Sequence, residues 1–269
     1  MKKRTVVLLL ALVLMFGFSS SASAAKKKSI WVLTSATTSA TSDTPVRRTF
    51  KYNSRGLFSS ITERFGKNEP FVSAYTYNDQ DLLTRMVQYK EASPGSIIST
   101  ETYTYSGKKA IKSVREWPDS TTKYTRNYTR GNGGKKIIIK ESFAADETPS
   151  ETITITFDKN KRIKKSVCKY SSGGGFTYWY KYDKKGRLTK AYSNSSGKKK
   201  LTIKYKYKVN KKGCATKITL VNPATGKAMS VGKYTFKKIK VPSSTYKLVQ
   251  LQQRSINGWT TEYLELLTN

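Results

Sequence analysis

The chain has no histidine, only two cysteines, and 17 acidic residues against 51 lysines and arginines. Without histidine it lacks the commonest general base and the commonest metal ligand. Cys168 and Cys214 cannot build a disulfide framework and allow one bridge at most. A calcium site would need several converging carboxylates, and the loops carry lysine instead. Neither a nucleophile elbow nor a phosphate loop is present. We therefore expect no enzyme, no cofactor and no metal site.

Long apolar runs are also scarce. The exception is "TVVLLLALVLMFGF" at Thr5–Phe18, preceded by Lys2, Lys3 and Arg4 and followed by "SSSASA". A basic start, a short apolar run and a small-residue junction form a secretory signal peptide. The run falls short of the ~20 residues a spanning helix needs. The pattern predicts cleavage after residues 1–24, with membrane contact only through the signal peptide before cleavage. It places the mature chain outside the cell or on the cell wall. There, the formal net charge of +34 would attract polyanions such as anionic wall polymers and acidic glycans. Nothing points to a specific nucleic acid.

What is present is a repeat. "YKYDKKGRL" at Tyr180–Leu188 recurs as "FKYNSRGLF" from Phe50, "YTYNDQDLL" from Tyr75, "ITFDKNKRI" from Ile155 and "YKVNKKGCA" from Tyr207. "YTYSGKKAI" from Tyr103 is a shifted copy, "YTRGNGGKK" from Tyr128 a degenerate one, and "YTF" at Tyr234–Phe236 starts an eighth. The second aromatic place falls at 52, 77, 105, 130, 157, 182, 209 and 236. Self-similarity at a fixed short period marks a repeat architecture. Within units, "TIKYKYKV" and "FTYWYKY" alternate apolar and polar residues, as half-buried strands do. Eight hairpins of this kind make an all-β, up-and-down antiparallel meander of roughly 16 strands. Nothing reads as a covering helix, so the sheet is expected to curl strongly, open or barrel-like, to hide its aromatic face.

The polar residues of the motif read as turn chemistry. Asn53, Asn78, Asp158, Asp183 and Asn210 follow a strand, where an Asx side chain accepts backbone amides. Gly56, Gly186 and Gly213 come three later, where a left-handed residue is needed; Asp81 and Lys161 stand there in two copies. Past the turn, apolar residues recur three apart: Phe58/Ile61, Leu83/Met86, Ile111/Val114, Leu188/Ala191 and Ala215/Ile218. A β-bulge would return each pair to one face. The meander sets the two cysteines about four strands apart, too far for a bridge. The ends differ. Residues 25–47 read as a Ser/Thr-rich segment with an edge strand at "SIWVL", residues 48–241 as the repeats, and residues 242–269 as a capping hairpin.

"YKYDKKGRLTK" and its weaker copies resemble the YD repeat of the RHS family, over about Phe50 to Leu220. The resemblance implies hairpins winding into a continuous spiral sheet. It also implies carbohydrate binding in general terms, mapped to no residue. The chain is far too short to enclose a cargo as large family members do.

The candidate ligand face is the one the motif leaves free. Trp179 is out of phase with Tyr178 and Tyr180, so it joins Lys181 on the outer side, with Lys204, Lys206 and Lys208 on a neighbouring strand. An exposed ring beside ammonium groups suits an anionic glycan. The expected function is a secreted, non-enzymatic repeat protein binding anionic wall polymer or glycan. The alternatives are an outer-membrane-type β-barrel and an interaction scaffold with an open edge strand. The sequence does not define the oligomeric state.

Overall fold

In a computed structural model, described for residues 26–40, 44–143, 148–194 and 197–255, the repeats close on themselves. The N-terminal strand is β1 (Lys27–Ala40). Seven hairpins follow: β2 (Val46–Tyr52) with β3 (Phe58–Phe65), β4 (Phe71–Tyr77) with β5 (Leu83–Lys90), and β6 (Ser93–Ser106) with β7 (Lys109–Glu116). Then come β8 (Lys123–Gly131) with β9 (Lys136–Ser142), β10 (Glu151–Phe157) with β11 (Ile163–Tyr170), and β12 (Gly175–Tyr182) with β13 (Leu188–Ser193). The last are β14 (Lys200–Val209) with β15 (Ala215–Val221), β16 (Ala228–Pro242) and a helix, α1 (Tyr246–Ser255). All neighbours in sequence pair antiparallel, and β16 pairs with β1 to complete a closed barrel. The fold is thus the all-β meander expected, in its closed form.

Closure explains the odd eighth repeat. β16 carries "YTF" but no turn, and its hairpin partner is supplied from the other end of the chain by β1. Leu33 faces Phe236 and Ala36 faces Tyr234. The Ser/Thr-rich segment is therefore strand as far as Ala40. Thr34–Ala40 lies inside β1, and Ser35–Thr38 pair with β2 on the other side. "SIWVL" belongs to the same strand and is no sheet edge. Its serines and threonines tolerate extension because alternate positions face outward.

The hairpins repeat one set of bonds. The Asn53 Oδ1 accepts the amides of Arg55 and Leu57, each at 3.0 Å. The same pair of bonds reaches Asn78, Asp158, Asp183 and Asn210. Gly56, Gly186 and Gly213 hold φ near +81°, and Asp81 and Lys161 take φ of 63° and 59° in their stead. Just past these five turns, and past the β6–β7 turn, the register slips by one residue. The extra residues are Ser59, Thr84, Ile111, Lys164, Thr189 and Thr216. Thr84, Thr189 and Thr216 donate their hydroxyls to Thr76, Lys181 and Lys208 carbonyls across the bulge. Four of the five apolar pairs spaced by three thereby share the inner face. The third does not. Its turn is shorter, Ile111 is itself the extra residue and is 42% exposed, and Ala110 takes the inner place.

The inner face is aromatic and aliphatic, and the outer face is lysine, serine and threonine. A second tie links successive hairpins. Tyr52, Tyr105, Tyr182 and Tyr207 each donate the phenol to a carbonyl of the preceding strand pair, at Leu33, Leu83, Ile163 and Leu188. In the seventh repeat Val209 fills the usual tyrosine place, and Tyr207, two residues earlier, makes the bond.

The C-terminal segment departs from expectation. Residues 246–255 form α1, not a strand of a capping hairpin, and residues 256–269 lie outside the described residues. Val249 is fully buried against Ile30, Val32, Leu57 and Val241. The Gln253 Oε1 accepts the Leu33 amide at 2.8 Å, beside the bulge that β1 makes at Thr34. Gln253 and Gln252 also donate to the phenols of Tyr52 and Tyr77. A strand could not place Val249, Gln252 and Gln253 together on these partners; helical spacing of three to four residues can. The predicted signal peptide also lies outside the described residues.

Candidate functional site

Two surfaces emerge from this fold, one outside the barrel and one inside. Outside, Trp179, Lys181, Lys204, Lys206 and Lys208 do share the outer face of β12 and β14, but not as one cluster. Lys181 faces Lys190, which faces Lys204, so three ammonium groups cross β12, β13 and β14 side by side. Lys208 faces Lys217, which faces Lys233, making a second row across β14, β15 and β16. Lys206 lies between them, opposite Thr219. All seven lysines are exposed. Among the described residues the ion pairs involve other cations. Like charges directly opposite on a sheet repel, so these rows cost stability unless an anion lies across them.

Trp179 is not an open stacking platform. It is half-buried, with the Lys199 and Lys165 ammonium groups 4.8 and 5.7 Å from its ring centre. Lys199 also lies 5.0 Å from the ring of Tyr192, and Lys181 5.6 Å from the same ring. Tyr192 faces Trp179 across the strands. The aromatic pair therefore holds lysines in place over the sheet instead of offering a bare face. Lys165, Lys190, Lys199, Lys217 and Lys233 were not among the candidates from sequence. Lys199 lies in the loop before β14 and Lys165 just past the β11 bulge, and for the others only strand register shows which ones align.

Inside, the lumen is divided. Toward β2–β5 it is filled by Leu33, Ala36, Phe50, Phe58, Ile61 and Leu83. Toward β10–β14 it is open, leaving a cavity of about 1010 Å³ walled by Ile153, Ile155, Phe157, Tyr180, Tyr182 and Leu188 among others. Burial pushes the phenol of Tyr182 up to about 12 and that of Tyr180 higher still, so both walls stay uncharged near neutral pH.

A charged network crosses the lumen at the end away from the motif turns. Glu101, 1% exposed, accepts from Arg115 (2.6 and 3.0 Å), from Arg126 (3.3 Å) and from Ser113 (2.9 Å). Arg126 also donates to Glu141 at 3.1 Å and to the Tyr124 phenol at 3.0 Å. Beyond Glu141, the Glu151 carboxylate accepts from the Cys168 thiol at 2.6 Å. Burial first, then the Glu151 carboxylate, pushes that thiol up to about 12, which makes it an inert group. Both cysteines are free. These acids look scattered in sequence, and the pairing of consecutive strands from β6 to β10 gathers them.

The turn rim of the cavity is built differently. Arg162 and Arg187 pair with Asp158 and Asp183 at 2.6–2.7 Å and lie over the rings of Tyr182 and Tyr207 in the next repeat. The shared arginine four residues after the aspartate was the signal for this, and sequence reading did not use it. Lys161, Lys184 and Lys185 line the cavity at this rim. No group of three or more histidine, cysteine or carboxylate side chains among the described residues is set to hold a metal.

The fold and its two surfaces define a class: a closed, sixteen-stranded, up-and-down barrel with an aromatic lumen and a cationic exterior. No family model and no curated protein matches the chain. Among solved structures it is similar to a porin-like protein from Bacteroides uniformis, at 16% identity and a TM-score of 0.52, covering 76% of this chain and 96% of that one. It is similar also to a porin-like protein from Bacteroides vulgatus, at 11% identity and a TM-score of 0.51, covering 76% and 98%. A further match, to the TcdB2-TccC3 complex, has 14% identity and a TM-score of 0.34 over 71% of this chain and 12% of that one. At that score it bears on neither fold nor function. The first two likenesses concern the fold alone.

Proposed function

We propose that this chain is a non-enzymatic barrel that works outside the cell and binds an anionic polymer or glycan across its outer lysine rows. The observation that supports this most is the alignment of Lys181–Lys190–Lys204 and Lys208–Lys217–Lys233 on one exterior face. A polyanion lying across adjacent strands would relieve their mutual repulsion and release its own counterions. Binding should therefore weaken steeply with salt.

The test is retention on immobilised heparin and on poly(glycerol phosphate) at rising salt. Replacing Lys190, Lys204 and Lys217 by alanine should lower the salt slope by about one per lysine. Replacing Lys90, Lys136 and Lys140, elsewhere on the barrel, should change it less. Equal effects from the two triple variants, or no retention at low salt, would refute the reading.

A second reading is an outer-membrane-type barrel. Closure of sixteen antiparallel strands and the likeness to porin-like structures favour it. Its difficulty is the exterior, since a lipid-facing lysine costs about 2–4 kcal/mol at the bilayer midplane. No helix among the described residues is long and apolar enough to cross a membrane, which says nothing of strands. Protease protection of the mature chain in liposomes would favour this reading over the first. The scaffold reading loses its binding element, because closure leaves no open edge on the sheet.

A further inference from the structure

The lumen is a second candidate site, independent of the outer lysines. A well-packed barrel interior leaves few voids larger than a water. This one keeps a cavity of about 1010 Å³, at the upper end of volumes that hold small molecules. Its middle is apolar, walled by Ile153, Ile155, Phe157, Ile163, Tyr180 and Leu188.

Its two ends differ in charge. At the far end the cations Arg115 and Arg126 are already committed to Glu101 and Glu141, and Glu151 adds a further carboxylate. At the turn rim the acids Asp158 and Asp183 are committed to Arg162 and Arg187, and Lys184 and Lys185 add two further cations. An anionic group is therefore favoured at the turn rim and disfavoured at the far end. β10 sets the distance between the ends. Seven residues at ~3.3 Å per residue, tilted as barrel strands are, give about 15–18 Å.

We propose that the lumen binds a linear amphiphile, an alkyl chain bearing an anionic head. The chain lies along the β10–β13 wall, and the head sits at the rim between Lys184 and Lys185. The tyrosine phenols do not compete for the head, because Tyr182 and Tyr207 already donate to Ile163 and Leu188 carbonyls. Trp117 lines the far end of the same cavity and would report the arrival of a long chain there.

The experiment is calorimetric titration of the mature chain with alkyl carboxylates from hexanoate to dodecanoate. Affinity should rise about fourfold per added methylene, then level off once the lumen is spanned. Tryptophan fluorescence should respond to the longest members and lose most of that response in Trp117→Phe. The double variant K184E/K185E changes two exposed turn residues, and a circular dichroism spectrum checks its fold. It should bind dodecanoate at least tenfold more weakly and dodecanol unchanged. Heparin should not displace dodecanoate. The proposal is overturned by any of four results: no saturable binding, equal affinity for dodecyltrimethylammonium, an unaffected K184E/K185E, or full displacement by heparin. The last would place the carboxylates on the outer face.

Discussion

The first and sixth repeats carry nearly the same motif in opposite surroundings. "FKYNSRGLF" has Phe50 at 3% exposure and both Leu57 and Phe58 at none, and its turn lies under α1. "YKYDKKGRL" makes the same Asx turn and the same bulge, yet Tyr180, Tyr182 and Leu188 are only half-buried and face the cavity. The hairpin is thus set by the nine residues of the motif, and its environment by what docks on it. α1 and the paired ends of β1 and β16 cover the first two repeats and leave the fifth, sixth and seventh open. A repeat protein made of equal units becomes one with a core on one side and a cavity on the other.

Phe58 and Leu188 occupy the same place in the two repeats, so truncating each probes this difference most strongly. Phe58 touches Phe50 and Tyr52 with ring centres 5.8 and 5.2 Å away. Phe58→Ala should cost about 3–5 kcal/mol, as core truncations of a large ring do. Leu188→Ala removes a side chain already bordering empty space and should cost about 1 kcal/mol. Urea midpoints of the two variants decide it. Equal losses would mean the open side is packed as tightly as the filled one.

The turn glycines sharpen the same contrast at smaller magnitude. Gly56 and Gly213 share φ of 81°, so alanine at either pays the left-handed cost of roughly 1–2 kcal/mol. At Gly213 an added methyl meets nothing within 4 Å. At Gly56 it would sit 2.3 Å from the Val241 Cγ1 and 3.3 Å from Val249, beneath α1. Overpacking there should add about 1–3 kcal/mol. Thermal denaturation of Gly56→Ala and Gly213→Ala should show the larger drop for the first. A matched drop would mean that α1 gives way without cost.

Much of the scaffold was legible because it is local. Asp183 and Gly186 announce their turn, and Leu188 with Ala191 announces the bulge, through spacing alone. Closure was not legible, because it depends on β1 meeting β16 across some two hundred residues, and β1 hides its strand in serines and threonines. α1 was missed for a related reason. "YKLVQLQQR" alternates well enough for a strand, and what makes it a helix is the tertiary fit of Val249, Gln252 and Gln253. The outer lysines were readable as a face but not as rows, since register decides that Lys190 stands between Lys181 and Lys204. The Glu101–Arg126–Glu141 network could be read only once two hairpins, β6 with β7 and β8 with β9, lay side by side.

The last and smallest effect separates the fifth and sixth repeats from the first and second by pH. The first, second and seventh repeats use asparagine to hold the turn, at Asn53, Asn78 and Asn210, whereas the fifth and sixth use Asp158 and Asp183. Burial alone would push both aspartates up. The amide and guanidinium bonds from Arg162, with the Asn160 amide, outweigh it at Asp158, and those from Arg187, with the Lys185 amide, do so at Asp183. Both carboxyls end below the ordinary range. A folded-state value below the unfolded one, about 3.9, means stability that is present at neutral pH and lost as pH falls through the folded value. The double variant D158N/D183N keeps the Asx acceptors but cannot titrate. Its stability should therefore fall less than that of the parent between about pH 5 and pH 2, by about 1 kcal/mol or less for pairs this near the surface. The substitutions should also lower stability at pH 7 by a similar amount, because each loses its ion pair. Urea midpoints across that range give the slope, and an unchanged slope would mean that Asp158 and Asp183 are as insensitive to acid as the asparagines on the filled side.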